Sequence, residues 1–533
     1  MFWTNITPMM KRIILGCIPF LMLFLLSAKN KEEVKNSSKD FLVTQYGAVP
    51  DGKTLNTQAI QKAIDAAFKN KGGRVVFPKG KFLSGSIVMK TNVEIYLEEN
   101  AVLLGSTNPK DYLNMAFDGR PDSPKKDDNS QLALILAHKA NNIVLKGKGT
   151  IDGQGLKLAL HIDSLHHAGV AIDPKYSLRR NRPNETMRPK LFRFSQCETI
   201  SVEGLKLGEA SCWGLSFELC SNLVLDNLTV VNRSYWNNDG IDITDCKNVK
   251  VTNCNINAAD DGICLKSYYP GYSNDGIYIA NCTIRSSASA IKFGTASYGG
   301  FKNVVVKDIQ VFDTFRSAIA IESVDGAVIE NIAVSNITAL NTGNAIFMRL
   351  GHRDGQKPGS IKNVSIKDIK VQVPFGRPDL NYDVRGPEVD FFHNPFPSSI
   401  VGIPGYKIDN VVLENIEINF PGRASKAMAY VPLSRINQVP EAVKDYPEFS
   451  MFGELPAYGF YVRHVNGISL KNIKLTLDDS DFRPAFVLDD VQNLKMEQID
   501  LPKEKSNQVV FKEVTSSNLD EKSVKQKLEI QNK

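Results

Sequence analysis

Histidine, tryptophan and paired cysteine are all scarce in this sequence. Seven histidines and three tryptophans occur among 533 residues, and nowhere does histidine cluster with cysteine at metal-ligand spacing. Of eight cysteines, Cys17 lies in the first apolar run. The other seven (Cys197, Cys212, Cys220, Cys246, Cys254, Cys264 and Cys282) form no CxxC pair. Zinc is therefore not expected, and an odd count argues against a complete disulfide framework. Cys254 and Cys282 occupy equivalent places in the repeat described below, which suits stacked buried thiols.

One-signed charge is lacking too. The net charge is +6, and part of the surplus sits at the ends, in Lys11, Arg12, Lys522, Lys525 and Lys527. No basic stripe interleaved with aromatics is present, so nucleic acid is not an expected partner. Long apolar runs are absent except from Ile13 to Leu26, which follows Lys11 and Arg12 and precedes Ala28. That run falls short of the ~20 residues needed to span a bilayer, and its flanks are those of a signal peptide. We therefore expect a leader over 1–28, a polar linker over 29–40 and export to the periplasm or beyond. Residues 14–17 (Ile-Leu-Gly-Cys) resemble a lipoprotein cleavage box, although little apolar sequence precedes it.

What the chain has in abundance is a repeat. Asn248–Ile256 and Gly276–Ile284 share one frame, with apolar residues alternating against polar ones. The frame recurs at Asn222–Val230, Asn303–Val311, Asn331–Ala339, Asn363–Val371, Asn410–Ile418, Gly467–Leu475 and Asn493–Leu501. Weaker copies are Asn142–Thr150 and Thr199–Leu207. Period-two alternation is that of a strand with one buried face. The sixth position advances through Gly204, Asn227, Asn253, Asn281, Asp308, Asn336 and Asp368, one strand per ~25 residues, the length of a parallel β-helix coil. A leucine-rich repeat would need its own leucine frame and a helix per repeat, and neither is present.

These features predict an all-β, right-handed parallel β-helix of ~10 coils, a single domain over 41–505 that works as a monomer. A polar tail should follow over 506–533. Thr57 is expected to N-cap a short helix with Ile60, Ala63, Ile64 and Ala67 on one face, closing the open end of the core. Asn227, Asn253, Asn281, Asn336, Asn415 and Asn472 should stack as a hydrogen-bonded ladder. Buried there, the glycosylation sequons at Asn227, Asn281 and Asn336 would be unused. Excursions at Asp111–Ser130, Leu156–Arg188 and Asp379–Pro404 are expected to crowd the binding face.

A second short strand follows each anchor strand, and reading down it shows the chemistry. Trp213, Asp239, Asp261 and Ser289 take the same place in successive coils. Adjacent strands lie ~4.8 Å apart, so Asp239 and Asp261 should be neighbours, with Asp260 beside them. Clustered carboxylates raise one another's proton affinity, which glycoside hydrolysis exploits. Acidic turns in solvent, or a calcium site, are the bland alternatives. Register across two coils favours function.

The sequence resembles glycoside hydrolase family 28, the polygalacturonases and their relatives, over nearly the whole mature chain. The resemblance shows in 46–57, 72–78 and 149–155, which many β-helix enzymes share, and in Asn237–Asp242 and Ala259–Gly262, which match the family's active centre. It implies inverting hydrolysis of a pectic or related acidic polysaccharide without metal or cofactor. Asp260 would be the general acid, with Asp239 and Asp261 positioning and deprotonating water. Asn237 would contact substrate, and Trp213 and Trp236 are candidate sugar platforms; Tyr458 is more simply core.

Two departures from the family pattern bear on selectivity. Its active-site histidine aligns with Ser289. The arginine and lysine that hold the galacturonate carboxylate align with Ala320 and Glu322. Lys266 and Lys292, or Arg349, are candidate replacements, since a carboxylate needs a cation or several donors. Glu322 would place negative charge where an anionic sugar binds, so unbranched polygalacturonate should be a poor substrate. A polysaccharide lyase on the same fold, or a non-catalytic carbohydrate-binding β-helix, are the rival readings.

Overall fold

The computed structural model describes residues 39–124, 130–380, 396–424, 431–502 and 508–520, and the backbone of 527–530. The expected leader over 1–28 and nearly all of the linker lie outside the described residues. Among those described, no helix is long and apolar enough to cross a membrane.

The alternation seen in the sequence becomes a stack of parallel strands, as expected of a β-helix. One coil comprises Leu215–Glu218, Ser221–Asp226 and Thr229–Asn232. The next comprises Ile241–Thr244, Lys247–Thr252 and Asn255–Ala258. They pair in register, Leu215 with Ile241, Leu223 with Val249 and Val230 with Ile256. Inward positions carry Leu, Ile, Val and Phe; Leu215, Phe217, Ile241, Ile243, Ile263, Leu265 and Phe293 are all wholly buried in one continuous core. Each such side chain contributes roughly 1.5–3 kcal/mol relative to exposure, and stacking repeats the contribution at every coil. The seven described cysteines are free and buried. The backbone N–H of Cys220 reaches Cys246 Sγ at 3.3 Å, one coil away.

The asparagine ladder exists, but it lies on the surface. Asn281 donates to Asn253 Oδ1 at 2.5 Å, Asn336 to Asp308 at 2.7 Å and Asn472 to Asn415 at 2.8 Å. All are exposed, which corrects the expected burial and removes the reason for discounting the sequons. The physical cause is the corner each turns. Asn227, Asn253, Asn281, Asn336, Asn415 and Asn472 have φ between 52 and 58°, the left-handed region that asparagine tolerates. At such a corner the side chain runs along the outside of the stack.

Two further expectations shift. Helix α1 spans Thr57–Lys69 and buries Ile60, Ala63, Ile64 and Ala67, but its N-cap residue is Asn56. Thr57 instead accepts the Gly85 N–H at 2.7 Å, a bond to the neighbouring coil. At the other end, pairing continues past 505. Val509–Leu519 forms a strand on Phe486–Asp500 and buries Val509, Val510 and Phe511. Three apolar residues are too short a run to show a period, so the sequence reads as a polar tail.

Candidate active site

One sheet of the stack, made from Leu215–Glu218, Ile241–Thr244, Ile263–Ser267 and Ile291–Ser297, differs from the others. Its outward residues are buried as thoroughly as its inward ones. On the outward face Ser216, Asp242, Cys264, Lys292 and Ala320 stand in one register column. A cavity of about 260 Å³ opens over this face. Glu185, Trp213, Asn237, Asp239, Asp260, Asp261, Lys266, Tyr268, Lys292, Thr295, Ala296, Arg353 and Tyr446 line it.

The three aspartates thus meet at one place, carried by turns that the backbone fixes. Gly214 N–H donates to the Asp239 carbonyl at 2.9 Å, and Gly240 N–H to the Asp261 carbonyl at 2.9 Å. A side chain at position 240 would put its Cβ 2.5 Å from the Gly262 carbonyl oxygen, so only glycine allows the coils this approach. Buried Asn232 donates to the Asp239 carbonyl at 2.8 Å, and Asn238 to the Ala210 and Cys212 carbonyls at 2.9 and 2.6 Å. Ser286 Oγ donates to the Asp260 carbonyl at 2.6 Å. Asn237 turns the chain with φ of 56°. Its Oδ1 accepts from Arg188 at 2.7 Å, and Arg188 also holds the Ser211 and Trp236 carbonyls at 2.6 Å.

Beneath the acids lie the two lysines. Lys266 Nζ stands 3.1 Å from Asp239 Oδ2 and 3.0 Å from Asp242 Oδ1; Lys292 Nζ stands 3.1 Å from Asp261 Oδ2. All five groups are buried. Burial and the nearby Asp242 hold the Asp239 carboxyl well above the ordinary range, against the pull of Lys266. Two carboxyls sharing one ammonium leave an excess proton between them, and the pair titrates as a unit. Burial also pushes Asp261 up, but Lys292, Lys266, Arg316 and the Ser289 N–H outweigh it and hold the carboxyl below the ordinary range. Of the two acids tied to lysines, Asp261 is therefore the one that stays ionised and can serve as a base.

The lysines expected to receive a substrate carboxylate are thus already committed to the aspartates. Trp213 is similarly engaged. It is 6% exposed, and Lys190 and Lys266 Nζ lie 4.3 and 4.5 Å from its ring centroid, so it braces cations more than it offers a sugar platform. Trp236 carries Arg182 at 4.2 Å and Arg180 at 5.5 Å. Tyr458 is buried against Phe420 in the core. Arg349 is buried too, donating to the Gly402, Glu441 and Ala442 carbonyls at 2.9, 2.7 and 3.0 Å, outside the cavity.

Glu322 corrects the expectation built on it. It is 2% exposed and absent from the cavity wall, and Thr295 Oγ1 donates to it at 3.2 Å. Burial pushes its carboxyl up to about 7. The repulsion foreseen for an anionic sugar therefore has no exposed source at this residue. Conversely, Arg353, Tyr446, Tyr268 and Glu185 line the cavity without having been foreseen. Glu185 comes from the Leu156–Arg188 excursion, and Arg353, Tyr446 and Tyr268 lie outside the repeat strands, where no register aligns them with the acids. Asp242 was visible in principle, because the alternation that buries Ile241 and Ile243 turns it outward beside Lys266.

A cation would fit this cluster poorly. Asp239, Asp261 and Cys264 bring potential ligand atoms within 4.8 Å of one another. Lysine ammoniums occupy the same oxygens, and Lys266 Nζ is 3.1 Å from Cys264 Sγ.

A parallel β-helix with three acids converging on one outward cavity describes a carbohydrate-cleaving enzyme. Comparison gives the family directly: residues 74–376 match glycosyl hydrolases family 28, and the chain belongs to that family. It is a glycosidase acting on O-glycosyl bonds. A probable polygalacturonase of Vitis vinifera is 23% identical over 414 residues, 72% of this chain and 75% of the relative. An exo-poly-alpha-D-galacturonosidase of Dickeya chrysanthemi is 24% identical, covering 70% and 71%. Among solved structures, the family 28 exopolygalacturonase of Yersinia enterocolitica has a TM-score of 0.60 at 18% identity, covering 87% of this chain and 78% of that one. That likeness shows the shared fold.

Proposed function

We propose that this protein is an exported hydrolase that cleaves pectic polysaccharide with inversion at the reacting carbon. Asp260 acts as general acid toward the departing oxygen, while Asp261, held ionised beside Lys292, deprotonates the attacking water that Asp239 and Asp261 together hold in place. The observation that carries this reading is the meeting of all three acids on one cavity wall, with Asp239 and Asp261 each tied to a lysine at 3.1 Å. Carboxylates pinned in this way are suited to holding a water in place. Asp260 is less buried than either, which suits a proton donor that must reach the glycosidic oxygen. Polygalacturonase names among the relatives support a galacturonate-containing polymer. Such polymers lie outside the cell, which fits the leader read in residues 1–28.

The cleft is also closed on one side. Residues 431–457 pack Val431, Ile436, Val439, Phe449 and Phe452 onto Ala320, Phe347, Val401 and Tyr461. Ala320, Phe347 and Tyr461 continue the outward column below Lys292. A polymer cannot follow the sheet past this cover, so we propose action near chain ends. Incubation with polygalacturonate and branched pectic fragments tests the function. Reducing ends should rise without near-ultraviolet absorbance. Unsaturated, absorbing products would establish a lyase, and no product from any pectic polymer would leave a binding protein.

A further inference from the structure

We propose that Arg353 and Tyr446 form the clamp for a substrate uronate carboxylate, in place of a cation on the β-ladder. The inference rests on the pectic reading above and adds the residues that recognise the acid group.

An acidic sugar entering the cavity loses hydration, and its carboxylate must regain donors there. Three cationic side chains line the wall: Lys266, Lys292 and Arg353. The ammoniums of the two lysines face Asp239, Asp242 and Asp261. Arg353 is built differently. Its Nε and Nη2 donate to Asp325 at 2.9 and 2.7 Å, leaving Nη1 outside the fork. Asp325 is 1% exposed and is itself fixed by the Ser297 N–H at 3.1 Å. The guanidinium is thus oriented before any ligand arrives, which reduces the ordering cost of binding. Planar guanidinium groups are also the side chains best matched to carboxylates.

Tyr446 completes the pair. Its ring lies 6.0 Å from the Arg353 guanidinium, and its hydroxyl accepts from Lys292 at 3.5 Å, leaving the phenolic proton to donate. The two residues belong to segments that are stapled together. The His352 N–H donates to the Val443 carbonyl at 2.8 Å, and Arg349 holds the Glu441 and Ala442 carbonyls. Arg316 stands 3.7 Å from Glu448 of the same segment as Tyr446.

The test is binding of trigalacturonate and of its fully methyl-esterified form, by calorimetry, to the Asp260→Asn protein, which should not consume the ligand. The acid form should bind ~10- to 100-fold more tightly, the range for a charge-assisted contact. Adding Arg353→Gln should bring that ratio close to one, and Arg353→Lys should recover only part of it. Because loss of the arginine strands Asp325, Tyr446→Phe serves as the milder variant and should lower the ratio several-fold. An unchanged ratio in both Arg353→Gln and Tyr446→Phe overturns the clamp, as does equal binding of the two ligands by the parent. Hydrolysis by the wild-type chain is scored separately. Failure to cleave with the ratio intact overturns the functional reading and leaves the clamp standing.

Discussion

Lys266 Nζ lies 3.1 Å from Asp239 Oδ2, so one of the reactive carboxyls rests on a buried cation supplied by the adjacent coil. That ammonium also serves Asp242 at 3.0 Å. Removing it leaves two buried carboxyls without compensation. We expect Lys266→Met to cost about 3–5 kcal/mol, the range for breaking a buried pair, and Lys266→Met with Asp242→Asn to recover part of the loss. Urea unfolding measures both. A single-variant loss under ~1 kcal/mol would show that the ammonium is not holding the cluster together.

Glu322 makes stability depend on pH in a defined direction. Its folded carboxyl titrates at about 7, against an ordinary 4.5. The folded state therefore holds this proton more tightly, and stability falls as pH rises from the unfolded value through the folded one. Glu322→Gln should be neutral relative to wild type near pH 4 and relatively more stable by about 3 kcal/mol at pH 8. Unfolding at several pH values checks this. A difference that does not change with pH contradicts it.

The acids should work without a divalent cation, because lysine ammoniums already sit against the carboxylates. Activity on polygalacturonate should survive extended treatment with chelator. Loss in chelator and recovery with calcium would instead indicate a metal-dependent centre.

Closure of the cleft by residues 431–457 has a consequence for products. Early digestion should release one short oligosaccharide or monomer while the polymer's viscosity barely changes. Sizing chromatography of the first products decides it, and an early ladder of long fragments would show that the cover does not obstruct the chain.

The β-helix and the acid column were legible in the sequence because both depend on spacing. The frame position held by Asn253 and Asn281 fixes coil length, and two coils in register bring Asp239 beside Asp261. Exposure at the corners was not legible, since a left-handed asparagine is required there whether or not its side chain is covered. Arg353, Tyr446 and Arg188 were hidden for another reason. They arrive from segments between the repeat strands, whose paths no periodicity constrains. The commitment of Lys266 and Lys292 was half visible, because alternation places them outward in the acid column. Their partners depend on side-chain reach, which spacing alone does not give.

Leaving-group dependence separates the roles of the three aspartates. A general acid matters only when the departing oxygen needs a proton. The measurement compares Asp260→Asn and Asp239→Asn with wild type on polygalacturonate and on an aryl galacturonide whose phenolate departs unaided. For Asp260→Asn we predict a loss of about 10²–10⁴-fold on the polymer and near wild-type turnover on the aryl substrate. Asp239→Asn should be impaired on both. Rescue of Asp239→Asn by the aryl substrate, with Asp260→Asn impaired on both or unaffected on the polymer, would contradict the assignment.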